Sequence, residues 1–410
     1  MTRVAIGCVA SLWALHVPAQ LFPTPDTLTH GQVFVEGTYV TDANSIYNEM
    51  LQGLTGRDFL DRDLRQRSSD ALRPVNRLGQ EFVLRLGVIL GDSLFHRPGL
   101  QAMVTVSHQD LFGVRFTPDA YDLAFFGNAN YAGTTADLGG CAYLQQRFQT
   151  LGLGLNWAAA GSWLQLEFVK GQQMAGADLE EATLFTADDG RALDATVRGT
   201  YQFSDTSGSQ GIDAFHGAGV ALSYQWSWRS DRGRWNRGQT FRFRVDDIGV
   251  IWWNGRSRLI EKDSTYNYRG IQVDNIFDLG DVAIGAEAVQ DTLGLRGEQR
   301  AFSTLVAYRV GIGYRVDFDK GWNAQLDLWQ RALPGYVPLF ALRAEKRFGK
   351  HFSLGLSGQY GGFGGLRMGA HLELSAGRSL RLQLGSTNLF GPLSPTGRGV
   401  SGYMNSAVLF

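Results

Sequence analysis

Residues 306–318 read Val306-Ala307-Tyr308-Arg309-Val310-Gly311-Ile312-Gly313-Tyr314-Arg315-Val316-Asp317-Phe318. Every second side chain from Val306 to Phe318 is apolar or aromatic, and the residues between are small or charged. Side chains alternate across a strand but recur every 3.6 residues on a helix, so this period of two marks a strand with one apolar and one polar face. The parity outlasts the about 5–6 residues usual in a soluble strand. It suits a tilted bilayer crossing of about 9–11 residues.

The same signal recurs along the chain. Leu164, Leu166 and Phe168 alternate with Gln165 and Glu167, and Leu193 to Phe203 alternate with Asp194, Arg198 and their neighbours. Val220, Leu222, Tyr224, Trp226 and Trp228 repeat the pattern, and further runs begin near Phe82, Phe241, Ala324, Phe340, Phe352, Leu366 and Leu380. Aromatics gather toward run ends (Trp226, Trp228, Trp252, Trp253, Tyr314, Phe318, Trp329, Tyr360), as interfacial girdles require. These features predict an all-β fold, a transmembrane antiparallel up-and-down β-barrel in one domain over residues 20–410.

Connections alternate in length. Asp319-Lys320-Gly321, Gly349-Lys350 and Gly377-Arg378 are tight, whereas Leu333–Tyr336, Gly361–Gly365 and Phe390–Val400 are longer. Barrels keep short turns on the periplasmic side, which predicts that both termini lie there. Counting back from the last strand, Ser401–Phe410, gives sixteen strands. The weakest are Gln32–Val40 and Ala182–Ala187, and without them fourteen remain. Two stretches break the pattern. In Asp42–Leu72, Ile46, Tyr47, Met50, Leu51 and Leu54 share a helical face and Phe59, Leu60 and Leu64 continue it, predicting a helical insertion that caps or plugs the barrel. Gly255–Phe302 is mixed, and either covers the mouth or hides another hairpin.

Composition agrees with this reading. The 410 residues carry 52 Gly, 10 Pro, 12% aromatics and a net charge of −1, so no global field draws the chain to nucleic acid. Mean hydropathy is −0.14. No run of about 20 apolar residues follows the first twenty, which excludes a helical membrane protein. The beginning reads as a secretory signal peptide, residues 1–19. Arg3 is followed by apolar Val4–Leu15 and small-residue Val17-Pro18-Ala19, with cleavage expected after Ala19. Cys8 comes too early for a lipoprotein anchor, and its removal leaves Cys141 without an internal disulfide partner.

Chemistry, if any, falls to the face opposite the lipid. Parity assigns to the lumen Arg85, Arg198, Arg242, Arg244, Arg309, Arg315, Arg343, Arg367 and Arg381, with Glu167, Asp194, Asp246, Asp317, Asp327, Glu345 and Glu373. These charges either bind a solute in a pore or simply pair and solvate a wide barrel, and width alone demands a polar inside. Replacing lumen-side Gly311 or Arg309 is expected to spare folding, whereas Arg at Val310 or Ile312 meets lipid. No catalytic residues, cofactor or metal are expected. Ser107 and His108 point to opposite faces, and His371 beside Glu373 lacks a nucleophile. No Cys/His spacing suits a metal. Gly361–Gly365 joins two strands, unlike a phosphate loop.

Phe410, with Val408 two before it and Tyr403 further back, resembles the C-terminal signal read by the barrel-assembly machinery of Gram-negative bacteria. The chain also resembles an uncharacterised Bacteroidota family of outer-membrane barrels, a domain of unknown function. The residues that carry this are Ala19-Gln20, Leu51-Gln52-Gly53, Phe59-Leu60-Asp61, Asn76-Arg77-Leu78-Gly79 and Gly385-Ser386-Thr387-Asn388-Leu389. The resemblance implies an outer-membrane barrel distantly akin to FadL-like transporters, although no Asn-Pro-Ala hatch motif is present. The functional expectation is a porin-like channel or transporter for a small solute. The alternative is a barrel that anchors or partners a secretion or surface-assembly complex. Expected partners are the outer-membrane bilayer, the assembly machinery through Phe410, and that solute.

Overall fold

A computed structural model describes residues 31–56, 60–91, 93–190, 192–230, 238–269, 299–377, 379–394 and 396–410. The expected signal peptide, Cys8, Phe59, Arg378 and most of Gly255–Phe302 lie outside them.

Among the described residues sixteen main strands follow in chain order. They are β1 (Gln32–Ala43), β2 (Asn76–Leu90), β3 (Leu100–Phe116), β4 (Ala142–Trp157), β5 (Ser162–Thr186), β6 (Ala192–Phe203), β7 (Gly217–Ser230) and β8 (Gly238–Trp253). Then come β9 (Arg258–Arg269), β10 (Arg309–Asp317), β11 (Trp322–Arg331), β12 (Val337–Phe348), β13 (Phe352–Gly362), β14 (Arg367–Ala376), β15 (Leu380–Ser386) and β16 (Val400–Leu409). Fourteen form a closed antiparallel barrel, sealed where β1 pairs with β16 from Gln32↔Leu409 to Thr41↔Val400. The weak first strand is therefore a full barrel member. On its other side β1 meets β2, with ladder pairs at Asp42↔Gly79 and Ala43↔Leu78.

The other two strands stand outside the wall. β5 is long enough to serve twice: Trp163–Gly171 pairs with β7, and Ala175–Thr186 pairs with β6. β9 then pairs with β6 along its length. Ala182–Ala187 is thus the far end of β5 and not a separate strand. Arg198 and Asp194 are exposed on this outer sheet, with Arg198 on Glu180 and Glu181, so neither faces the lumen. A two-faced strand alternates wherever it lies, which is why parity misplaced them.

On the barrel wall, outward residues are large and apolar: Leu153, Leu166, Leu342 and Leu356 are each about 60% exposed. Such a belt belongs in hydrocarbon, and the chain is a transmembrane barrel. Inward residues are packed, not bathed. Glycine on a strand leaves a hole for a ring from elsewhere: Gly311 faces Trp329 and Gly355 faces His371 on adjacent strands, and Gly79 faces Phe363 of the β13–β14 loop. Trp253 and Trp329, expected in a girdle, are inside and nearly covered. At the quoted stretch, parity holds over β10 but fails before it. Val306 and Ala307 turn inward into a core with Leu111, Phe148, Ile251 and Trp253.

That kink frees backbone groups, which buried structure must satisfy. Gln146 of β4 does so from across the lumen, accepting from Ala307 N (2.9 Å) and donating to Leu305 O (2.8 Å). Arg331 donates to Ala307 O at 2.9 Å.

The helices sit at one end. α1 (Asn48–Gly56) and α2 (Arg62–Asp70) fill the β1–β2 connection, and α3 (Pro118–Phe126) the β3–β4 connection. Asp61 caps α2 by accepting from Leu64 N at 2.7 Å. Thr117 caps α3 ahead of Pro118, a start signal that the sequence carried unread. Ile46, Met50, Leu64 and Tyr121 bury together, and Asn48 ties the group to the β15–β16 loop through Gly391 and Gly399. This helical cap packs at the long-loop end, against the β15–β16 loop. The strand ends near Gln32 and Leu409 define the opposite, terminal end.

Candidate functional site

Three cavities follow one another along β1. The first touches Gln32, Phe34 and Glu36 at the terminal end. The second touches Glu36 and Thr38. The third reaches Val40 and Asp42 near the helices. Glu36 and Arg85 belong to both the first and second, while Glu81 and Arg309 belong to both the second and third.

The residues at these junctions are paired ions. Arg85 Nη1 lies 3.8 Å from Glu36 Oε2. Asp246 joins two guanidinium groups, Arg244 Nε at 2.7 Å and Arg309 Nη2 at 2.9 Å. Arg331 Nε is 3.1 Å from Glu81 Oε2. Arg309 also stacks 4.5 Å above Trp329, and Arg244 5.3 Å from Trp163. A buried charge is tolerated only with such partners.

A β-bulge adds a second acid here. On β8, Asp246 and Asp247 together oppose Ser223 of β7, and Asp247 has φ 59° and donates its N–H to Ser223 Oγ at 2.8 Å. A bulge puts two consecutive residues against one and re-aims a side chain. Both carboxylates are consequently buried inside, and Gln109 donates to Asp247 Oδ2 at 3.1 Å. Glu167 is buried as well.

A second polar layer lines β8 and β10 to β14. Arg242, Arg315, Arg343, Asp327 and Glu345 are all buried. Glu345 accepts from Asn323 Nδ2 at 3.0 Å and pairs with His371 Nε2 at 2.9 Å. His371 thus meets Glu345, not Glu373. Arg315 Nε holds Asp317 at 2.9 Å, and Gln325 donates to Asp327. Arg381 and Glu373 border the first cavity, and Arg367 borders the third, where it grips Asp42 at the edge of the cap. Ser107 Oγ is inside, 2.8 Å from Thr150 Oγ1, while the His108 ring packs edge-on against Phe82. The two do not form a dyad.

Sequence parity therefore gathers most of its chosen charges into one lumen. It omitted Glu36, Glu81 and Arg331, which share that parity on β1, β2 and β11 and were readable by it. Asp247 was not, because its bulge shifts the register.

Among solved structures the chain is similar to the toluene transporter TbuX of Ralstonia pickettii, at 8% identity and TM-score 0.38, over 94% of this chain and 92% of that one. It is similar to the toluene transporter TodX of Pseudomonas putida, at 7% identity and TM-score 0.34, over 94% and 90%. It is also similar to the COG4313 outer-membrane channel of Pseudomonas putida F1, at 10% identity and TM-score 0.31, over 95% and 100%. No curated protein matches the chain. Residues 172–381, slightly more than half of it, match a family of unknown function, and by that match the chain belongs to the DUF5723 family.

Proposed function

We propose that the barrel is a gated channel for a small solute, with the three cavities as its route and the helical cap as its outer cover. The observation that supports this is their succession along β1, with charged residues shared at each junction. A barrel serving only as an anchor needs a filled inside, but not cavities in series from cap to terminal end. The junction pairs act as septa. Each carboxylate holds a guanidinium across the route, and a passing solute must displace one or carry hydrogen bonds that replace it.

The test is single-channel recording of the mature chain in planar bilayers, beside Glu36→Gln and Glu81→Gln. The wild type should open rarely, and each substitution should lengthen or enlarge the openings by freeing Arg85 or Arg331 to swing aside. Silence from all three folded proteins would refute the channel and favour the anchoring role.

A further inference from the structure

The first cavity has two unlike walls. On one side Phe34, Ile89, Met103 and Trp163 form an apolar cluster. On the other stand side-chain amides, among them Gln32, Gln383 and Asn405. Gln32 is only 3% exposed, yet its Oε1 accepts no hydrogen bond from the described residues. Asn405 donates from Nδ2 to Gln383 Oε1 at 3.0 Å, and its own Oδ1 is likewise without a donor. Buried acceptors are normally satisfied, so two on one cavity wall point to a ligand that brings donors.

The charge of the wall narrows the class. Arg85, Arg244 and Arg381 bring three positive charges. Glu36 on Arg85 and Asp246 on Arg244 answer two of them. Glu373, diagonally across the strand pair from Arg381, answers the third. A wall balanced in this way favours neither an anion nor a cation. A pure hydrocarbon would strand the amide acceptors. The remaining class is neutral, carries several hydroxyl donors, and has one apolar face for the aromatic side.

We propose that this cavity binds a sugar of one or two rings, with its C–H face against Phe34 and Trp163 and its hydroxyls donating to Gln32 and Asn405. The inference does not depend on conduction, since a barrel that never opens can still hold a ligand at its terminal end.

The test is titration calorimetry of the folded mature chain in a detergent without a sugar head group. Glucose and maltose are the probes, with laurate and toluene as comparisons. At least one sugar should bind saturably and more tightly than either comparison. Gln32→Leu and Asn405→Leu should each weaken that binding by about tenfold, the effect of losing roughly one buried hydrogen bond. Glu49→Gln, on the cap, should leave it unchanged. Saturation-transfer NMR on the wild type needs no variant, and the sugar's C–H protons should receive the transfer. No saturable sugar binding by folded protein, tighter binding of laurate or toluene, or unchanged binding in both Leu variants would overturn the assignment. Silent bilayers with intact sugar binding would instead refute only the channel.

Discussion

Replacing Gly311 by Ala tests whether the lumen is packed or merely lined. The residue faces inward, and its register partner is Trp329 on the adjacent strand. A Cβ there would fall 2.5 Å from Trp329 Cδ2 and closer still to Cε3 and Cζ3, well inside contact distance. The indole cannot yield freely, because Arg309 lies on it at 4.5 Å and is held by Asp246 at 2.9 Å. Overpacking costs about 1–3 kcal/mol. Disturbing a desolvated cation–π contact adds up to about 2 kcal/mol, so a net loss of about 2–4 kcal/mol is expected. Urea unfolding in lipid vesicles, read by the heat-modifiable band, measures it. Trp329→Leu in the same chain should recover about 1 kcal/mol or more, since coupled neighbours are not additive. A Gly311→Ala protein within about 0.5 kcal/mol of the parent, or strict additivity with Trp329→Leu, would refute the packed lumen. Parity alone had marked Gly311 as tolerant; the ring across the strand pair reverses that.

Ile312→Arg places a cation on the outer belt, where it costs about 2–4 kcal/mol near the midplane, and the folded band should fall. Arg309→Gln should lower stability less and change conductance, and equal damage from both would show that the faces are misassigned. Tags at exposed Leu366 and Leu393 should be reachable on intact cells and tags at Lys320 and Lys350 hidden, the reverse labelling overturning the orientation. These sites serve better than Gly364 or Gly335, which pack against Asp42 and Val114. Removing Phe410 should lower the amount of barrel assembled in cells without altering the refolded protein, and unchanged assembly would dismiss it as a recognition signal. Mass spectrometry of the exported chain should find Gln20 first, and an intact Met1 would contradict processing after Ala19.

What could be read from sequence was whatever depends on side-chain period. Arg242, Arg244, Arg315, Arg343, Asp327 and Glu345 reach the lumen because alternation is unbroken over the stretches of strand that carry them. Asp247 and Val306 could not be placed, since a bulge and a kink each change the phase by one residue and flip the face. Arg198 failed differently. Its strand alternates faithfully but pairs with β5 and β9 beyond the wall, and alternation says nothing about which sheet a strand joins. Nor does it say that Glu36 meets Arg85, a contact between a strand that looked too weak to count and its neighbour around the wall.

The reach of Gln146 bears on the order of assembly. Its bonds to Leu305 and Ala307 join positions 159 and 161 residues apart, linking β4 to the segment that leads into β10, a strand that is not its neighbour. Such contacts form only after loop-closure entropy has been lost and the strands between have taken their places, so they belong to the end of folding. An interaction absent from the transition state slows unfolding without speeding folding. The cross-lumen amide therefore works as a catch that sets on completion: it lengthens the lifetime of the finished barrel and leaves its rate of formation alone.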